Sequence, residues 1–202
     1  MSSGLFITLE GPDGAGKSTQ VRRLAEALAG SDPLLVREPG GTALGESVRE
    51  LLLHRHDLTI GPEAEMHLFM AARAELLEER IRPALAAGRI VIADRYHDAT
   101  LVYQGAVGGI LTTWPASFPR PDLTVLLMVP AEVGLARQAD AGKTPDRMES
   151  RPLAFHQAVA RGYLALAEAE PERFLLLDGT REPKALTGAI MDRVESLRGA
   201  RR

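Results

Sequence analysis

Near its amino end the chain carries Gly11-Pro12-Asp13-Gly14-Ala15-Gly16-Lys17-Ser18, followed by Thr19. Two fixed glycines five residues apart, with Lys-Ser directly behind the second, let backbone amides converge on phosphate oxygens. The same spacing brings an ammonium to the β and γ groups and a hydroxyl to magnesium. Such a loop needs a buried strand before it and a helix after it, and Leu5 to Glu10 and Ser18 onward supply both. These residues imply binding of a nucleotide's phosphates. They leave open a kinase, an ATPase motor or a switch.

A second group follows the apolar run Ile90-Val91-Ile92-Ala93 and consists of Asp94, Arg95 and Tyr96. Open α/β sheets place ligands at the carboxyl edge of their strands, where Arg95 could bridge two phosphates. The alternative, a surface ion pair, carries little energy, and the position at a strand end favours a site. Phosphoryl transfer between nucleotides asks little of a general base, because an acceptor phosphate with a second pKa of about 6 is largely ionised at neutral pH. Positioning and positive charge dominate instead. Lys17, Arg95 and a mobile basic segment would supply them. Arg137, Lys143, Arg147 and Arg151 among Gly, Pro and Asp suit such a lid over about residues 137–151, against the alternative of a solvated charged loop.

Phe69 and Arg73 lie four apart and so share one helix face, where a ring could stack on a base and a guanidinium could donate to its carbonyl. A core Phe beside an outward Arg is the commoner use of that spacing. The histidines at positions 54, 56, 67, 97 and 156 have no metal-site spacing. Trp114 reads as a packing or surface residue.

Short apolar runs alternate with helical periods, the pattern of a parallel sheet covered by helices. Strands are expected at Leu5 to Glu10, Leu34 to Arg37, Arg89 to Ala93, Leu123 to Val129 and Arg173 to Leu177. Helices are expected at Lys17 to Ala29, Leu44 to Leu53 after a Thr42 cap, Glu63 to Ala86 with a break near Pro83, Glu132 to Ala139, Leu153 to Ala169 and Lys184 to Arg198. The proline-bearing stretch from Gly108 to Asp122 reads as a loop. With 202 residues, 45% hydrophobic and 25% charged, the chain suits a single α/β domain over 1–202.

A net charge of −3 argues against a nucleic-acid-binding role, and the absence of cysteine excludes disulfides and thiolate chemistry. Met1-Ser2-Ser3-Gly4 lacks a basic leader and no apolar run approaches the roughly 20 residues of a membrane helix, so a cytoplasmic location is expected.

These elements together resemble the bacterial thymidylate kinases. The resemblance rests on Gly11 to Ser18, Arg37-Glu38-Pro39-Gly40-Gly41-Thr42, Phe69-Met70-Ala71-Ala72-Arg73, Asp94-Arg95-Tyr96 with Tyr103-Gln104-Gly105, and Pro121-Asp122-Leu123-Thr124. Asp146-Arg147-Met148-Glu149 and Asp178-Gly179-Thr180 extend it. It implies magnesium-dependent transfer of the ATP γ-phosphoryl group to dTMP in a homodimer built on a five-stranded parallel sheet of the P-loop fold. It further implies that Phe69 stacks on thymine, Arg73 bonds its O4, Tyr103 crowds the place of a ribose 2′-hydroxyl, Asp13 contacts the 3′-hydroxyl and Arg95 bridges the two phosphates. Glu38, Arg49, Thr100 and Gln104 are further substrate candidates, Ser18 and Asp94 the magnesium candidates. Gly14 after Asp13 resembles the family form that supplies its arginine from the lid, which singles out Arg147. Three features depart from the family: Ala139 and Asp140 in a stretch that is often basic, Ala99 where serine is common, and Met128 where the fourth strand often carries Asp.

Overall fold

In a computed structural model, which describes residues 4–142 and 144–201, five strands alternate with helices. They are β1 (Leu5–Glu10), β2 (Leu34–Arg37), β3 (Ile90–Asp94), β4 (Leu123–Met128) and β5 (Phe174–Asp178). All pairings are parallel, in the order β2-β3-β1-β4-β5.

Strand alternation sorts the core. β1 sends Leu5, Ile7 and Leu9 to one face, against Leu24 of α1 (Lys17–Ala27) and Leu186, Ile190 and Val194 of α8 (Pro183–Ala200). Phe6 faces the other side, with Leu76 of α3 (Pro62–Leu76) and Val91 and Ala93 of β3. A further cluster under the same side gathers Leu126 of β4, Val159 and Tyr163 of α7 (Leu153–Ala169) and Val48 of α2 (Ala43–Arg49). With both faces covered, β1 is buried at every position, which is why its sequence is apolar up to Glu10 except for Thr8.

The register positions the site. Leu9 of β1 pairs with Asp94 of β3, and Arg37 of β2 pairs with the same residue. The loops that leave these three strands therefore open side by side at one edge of the sheet.

The expected strands are present with ends shifted by a residue in β3, β4 and β5. Thr42 caps α2, its hydroxyl accepting from the Gly45 amide at 2.9 Å. Three helical stretches differ more. The expected helix from Leu44 to Leu53 is α-helical only to Arg49 and continues as a π segment over Glu50–His54. The expected long helix from Glu63 is α-helical only to Leu76, then widens to a π turn over Leu77–Ile81 before α4 (Arg82–Ala86). Pro83 lacks an N–H and its ring would press on the carbonyl four residues back, so the wider turn accommodates it. A helical stretch not expected from sequence, α5 (His97–Thr100) continuing as a π segment over Leu101–Val107, carries three of the candidate substrate residues or their neighbours. Its β-branched and glycine-bearing composition hides a helical period. Trp114 packs edge-on against Tyr96 and His97 at 5.7 and 4.8 Å between ring centres.

Candidate functional site

The loop between β1 and α1 turns through glycines in left-handed conformations. Gly14 has φ 72°, and a Cβ there would stand 2.2 Å from the Gly134 carbonyl oxygen of α6 (Ala131–Asp140). Neither the dihedral nor the space admits a side chain at position 14, which gives a physical reason for glycine there. Behind the turn, the Lys17 ammonium donates to the Gly11 and Pro12 carbonyls at 3.0 and 2.7 Å and is almost wholly buried. Burial, followed by the nearby Arg95 charge, pushes its pKa down to about 8. The Ser18 hydroxyl donates to Asp94 Oδ2 at 2.6 Å, joining the end of β3 to the first turn of α1.

Arg95 next to it has φ 71°. Its guanidinium donates to the Gly11 carbonyl at 3.1 Å, to the Tyr163 hydroxyl at 3.0 Å, to the Tyr103 hydroxyl at 3.3 Å and to the Asp13 carboxylate. It also lies over the Tyr103 ring, 5.2 Å from the centre. Burial works to raise the Asp13 pKa, but Arg95 and then Lys17 outweigh it and hold the carboxylate below its usual value. Asp94 and Arg95 thus turn to different partners rather than to one another, and the surface ion pair is not what is found.

Glu10, the last residue of β1, lies fully buried beneath this cluster. It accepts from the Tyr96 amide and the Tyr163 hydroxyl, each at 2.7 Å, and its Oε2 is 4.0 Å from Arg95. Burial first, then Asp98, lifts its pKa to about 7. No sequence signal marked Glu10, Tyr163 or His97. The bonds Glu10 makes reach 86 and 153 residues along the chain, out of range of any local pattern.

The cleft that these loops border has a volume of about 850 Å³. Residues 13–19 line one side, with Asp94 and Arg95 between, and Glu38, Arg49, Phe69, Arg73, Thr100, Tyr103 and Gln104 line the other. Gly11 and Pro12 contribute carbonyls behind it. Arg73 is 1% exposed, whereas Phe69 is only partly buried, so the pattern of core Phe and outward Arg is reversed. A buried guanidinium requires partners, and Arg73 has them: Glu38 Oε2 at 2.6 Å from Nε, the Thr100 hydroxyl at 2.8 Å, the Tyr96 carbonyl at 3.1 Å and His97 Nδ1 at 3.3 Å. His97, which donates through Nε2 to the Thr113 carbonyl at 3.0 Å, has its pKa pushed down to about 3 by burial and by Arg73. It is neutral and presents Nδ1 as an acceptor. Glu38 Oε1 is buried with no hydrogen-bond partner among the described residues. Burial raises its pKa against the pull of Arg73. Arg49 donates to the Pro39 carbonyl at 2.9 Å.

The basic segment is divided. Arg137 on α6 reaches the phosphate loop, donating to the Gly14 and Gly179 carbonyls at 3.3 and 3.1 Å, and lines the cleft. Arg147 does not line it. Its guanidinium donates to the Leu52 carbonyl at 2.7 Å and pairs with Glu65 of α3. Lys143 lies outside the described residues. Ala99 faces the cleft, while Met128 packs against the Tyr163 cluster. The described residues hold no cluster of three or more His, Cys, Asp or Glu able to bind a metal.

Such an arrangement can hold a polyphosphate on amides and cations and a planar ring beside Phe69, with one guanidinium between them. The sequence profile of the thymidylate kinases matches residues 9–190. A thymidylate kinase from Thermomicrobium roseum is 49% identical over 194 residues, covering 92% of this chain and 91% of its own length. One from Deinococcus radiodurans is 48% identical over 199 residues, covering 94% and 96%. The crystal structure of thymidylate kinase from Ehrlichia chaffeensis superposes with a TM-score of 0.74 at 30% identity, covering 95% of this chain and 99% of that one. With a profile running from the first strand into the last helix and relatives near half identical along almost their full length, the chain belongs to the thymidylate kinase family.

Proposed function

We propose that this chain transfers the γ-phosphoryl group of ATP to dTMP, giving dTDP and ADP, with the parts of the cleft divided between donor and acceptor. ATP phosphates lie on the amides of residues 11–19, with Lys17 against the β and γ groups. Phe69 stacks on thymine, Arg73 donates to its O4, and the Gln104 amide takes its N3–H. Thr100 holds Arg73 in place. Tyr103 lies where a ribose 2′-hydroxyl would project, and Asp13 takes the 3′-hydroxyl. Glu38 shapes the pocket through Arg73, and Arg49 faces the acceptor phosphate.

The observation that carries this reading is the position of Arg95, joined at once to the Gly11 carbonyl and the Asp13 carboxylate of the phosphate loop and to Tyr103 on the opposite wall of the cleft. A group so held adds fixed positive charge between two phosphates without having to reorganise as charge spreads over the transferred oxygens. Lys17 supplies a second charge. The acceptor phosphate is already ionised and needs no base.

Magnesium suits the same place. Ser18 and Asp94 offer hard oxygen donors 2.6 Å apart at the start of a helix, and this ion is commonly bound by one or two carboxylates together with substrate phosphates, not by a cage of protein ligands. Bound there, it would neutralise phosphate charge. Residues 137–151 form the lid in this reading, with Arg137 toward the phosphate loop and Arg147 delivered by closure. The chain acts as one domain over 1–202, as a homodimer and in the cytoplasm. No described helix is long and apolar enough to cross a membrane, and the family resemblance supports the rest.

A coupled ADP-release assay with a panel of dTMP, dUMP, dCMP, AMP, CMP and shikimate tests the reading. The highest kcat/KM is expected for dTMP, and faster turnover of AMP, CMP or shikimate would overturn it.

A further inference from the structure

Glu65 stands outside the mechanism just given, yet it is only 5% exposed and lies between two of its parts. Its Oε1 accepts from Gln104 Nε2 at 2.9 Å, and its Oε2 is paired with the Arg147 guanidinium. Arg147 is itself fixed. Its Nε donates to the Leu52 carbonyl at 2.7 Å and its backbone amide to the Leu53 carbonyl at 3.1 Å. Gln104, 4% exposed, lines the cleft, and its side-chain oxygen takes no hydrogen bond from any described residue.

A carboxamide can face its neighbour with either end, and its surroundings decide which. A carboxylate only accepts. Facing one, Gln104 must turn its NH2 to Glu65 and leave its carbonyl oxygen for the cleft. Thymine presents an N3–H donor beside its O4 acceptor, whereas cytosine presents a bare N3 beside an amino group. The orientation of one amide therefore discriminates between the two bases.

We propose that Glu65 is a positioning residue for base selection, fixing which end of the Gln104 carboxamide meets the base, with Arg147 fixing how Glu65 presents its acceptors. The proposal rests on the dTMP kinase reading above and names what sets its specificity. It also gives Arg147 a role while the base is being selected, with the lid segment still at rest on α3 and before closure carries its guanidinium toward the phosphates; in that resting state the lid and the base pocket share one buried carboxylate.

The nearly isosteric Glu65→Gln change inverts the logic. Arg147 can only donate, so it claims the new carbonyl oxygen and turns the new NH2 toward Gln104. Gln104 must then accept at that point and offer its own NH2 to the base. The ratio of kcat/KM for dTMP over dCMP should fall by about tenfold or more, the scale of one buried hydrogen bond reversed. In a Gln104→Met background the same change should leave the ratio unmoved, because there is no amide left to turn. A purely structural Glu65 would lower turnover of both substrates in proportion. A ratio within about twofold of the unaltered enzyme, or an equal fall in the Gln104→Met background, overturns the proposal. Should Glu65→Gln fail to fold, a crystal structure of the unaltered enzyme with dTMP decides: Gln104 must touch both Glu65 and N3 of the base, and a side chain turned from either refutes the idea. Preference of the unaltered enzyme for another monophosphate would defeat the functional reading and this one with it, whereas preserved dTMP preference with an unmoved ratio defeats this one alone.

Discussion

Arg95 keeps a left-handed backbone that costs a non-glycine residue about 1 kcal/mol or more, and it does so because both its ends are held. Its amide donates to the Leu9 carbonyl at 3.0 Å and its guanidinium is bound to Asp13, Tyr163 and Gly11. Arg95→Ala should lower kcat by about 10² to 10³ fold through lost transition-state charge. Arg95→Gly should be as inactive yet melt higher than Arg95→Ala, since glycine relieves the dihedral. Near-normal turnover in either variant would remove Arg95 from the mechanism. Lys17→Ala should cut kcat on the same scale. Phe69→Ala should raise KM for dTMP about tenfold with a smaller change in kcat, as expected for one lost stacking contact of about 1 to 3 kcal/mol; an unchanged KM would place the base elsewhere. At this scale the sequence was informative where chemistry depends on local spacing, as in residues 11–18 and the Phe69–Arg73 pair. It was silent on Glu10, Glu65 and His97, whose partners lie far along the chain or, for His97, depend on burial against Arg73.

Among the elements, the phosphate loop is held by the close approach of α6. Gly14→Ala would drive a methyl group into the Gly134 carbonyl in a dihedral that side chains avoid, so it should destabilise the fold by about 1 to 3 kcal/mol and raise KM for ATP more than KM for dTMP. Urea unfolding and initial-rate kinetics together check this, and a silent substitution would show that the loop can shift freely. The strands were legible because β1, β3 and β4 are buried on both faces and read as nearly continuous apolar runs, broken in β1 and β4 only by Thr8 and Thr124, whose hydroxyls bond to one another at 3.0 Å. The α5 stretch was not. Its Tyr103 and Gln104 face the cleft and its Val102 the core, so function breaks the helical period that would have revealed it. The π turn before Pro83 was legible only as a break, since the proline announces that the helix must yield but not how.

For the molecule as a whole, the sheet gathers opposite charges under one edge, and pH tests that arrangement. Glu10 has a folded pKa of about 7, raised by burial above an ordinary value near 4.5. The folded state therefore holds a proton that the unfolded chain has released between those values, and Glu10 subtracts stability as pH rises through that window. Relative to Glu10→Gln, the unaltered protein should be best placed near pH 5, lose ground up to about pH 7 and change little beyond. A stability difference that is flat from pH 5 to 8 in urea unfolding would show Glu10 ionised throughout. The core's overall disposition was foreseeable from alternation alone, while the convergence of three loops depends on strand order, which local pattern does not carry. That convergence is measured most directly by a crystal structure with dTMP, magnesium and a non-hydrolysable ATP analogue. The Arg95 guanidinium should lie within about 3 Å of oxygens from both the acceptor phosphate and the γ group, with thymine against Phe69. A guanidinium turned away from either phosphate, or dTMP seated outside the cleft, would contradict it.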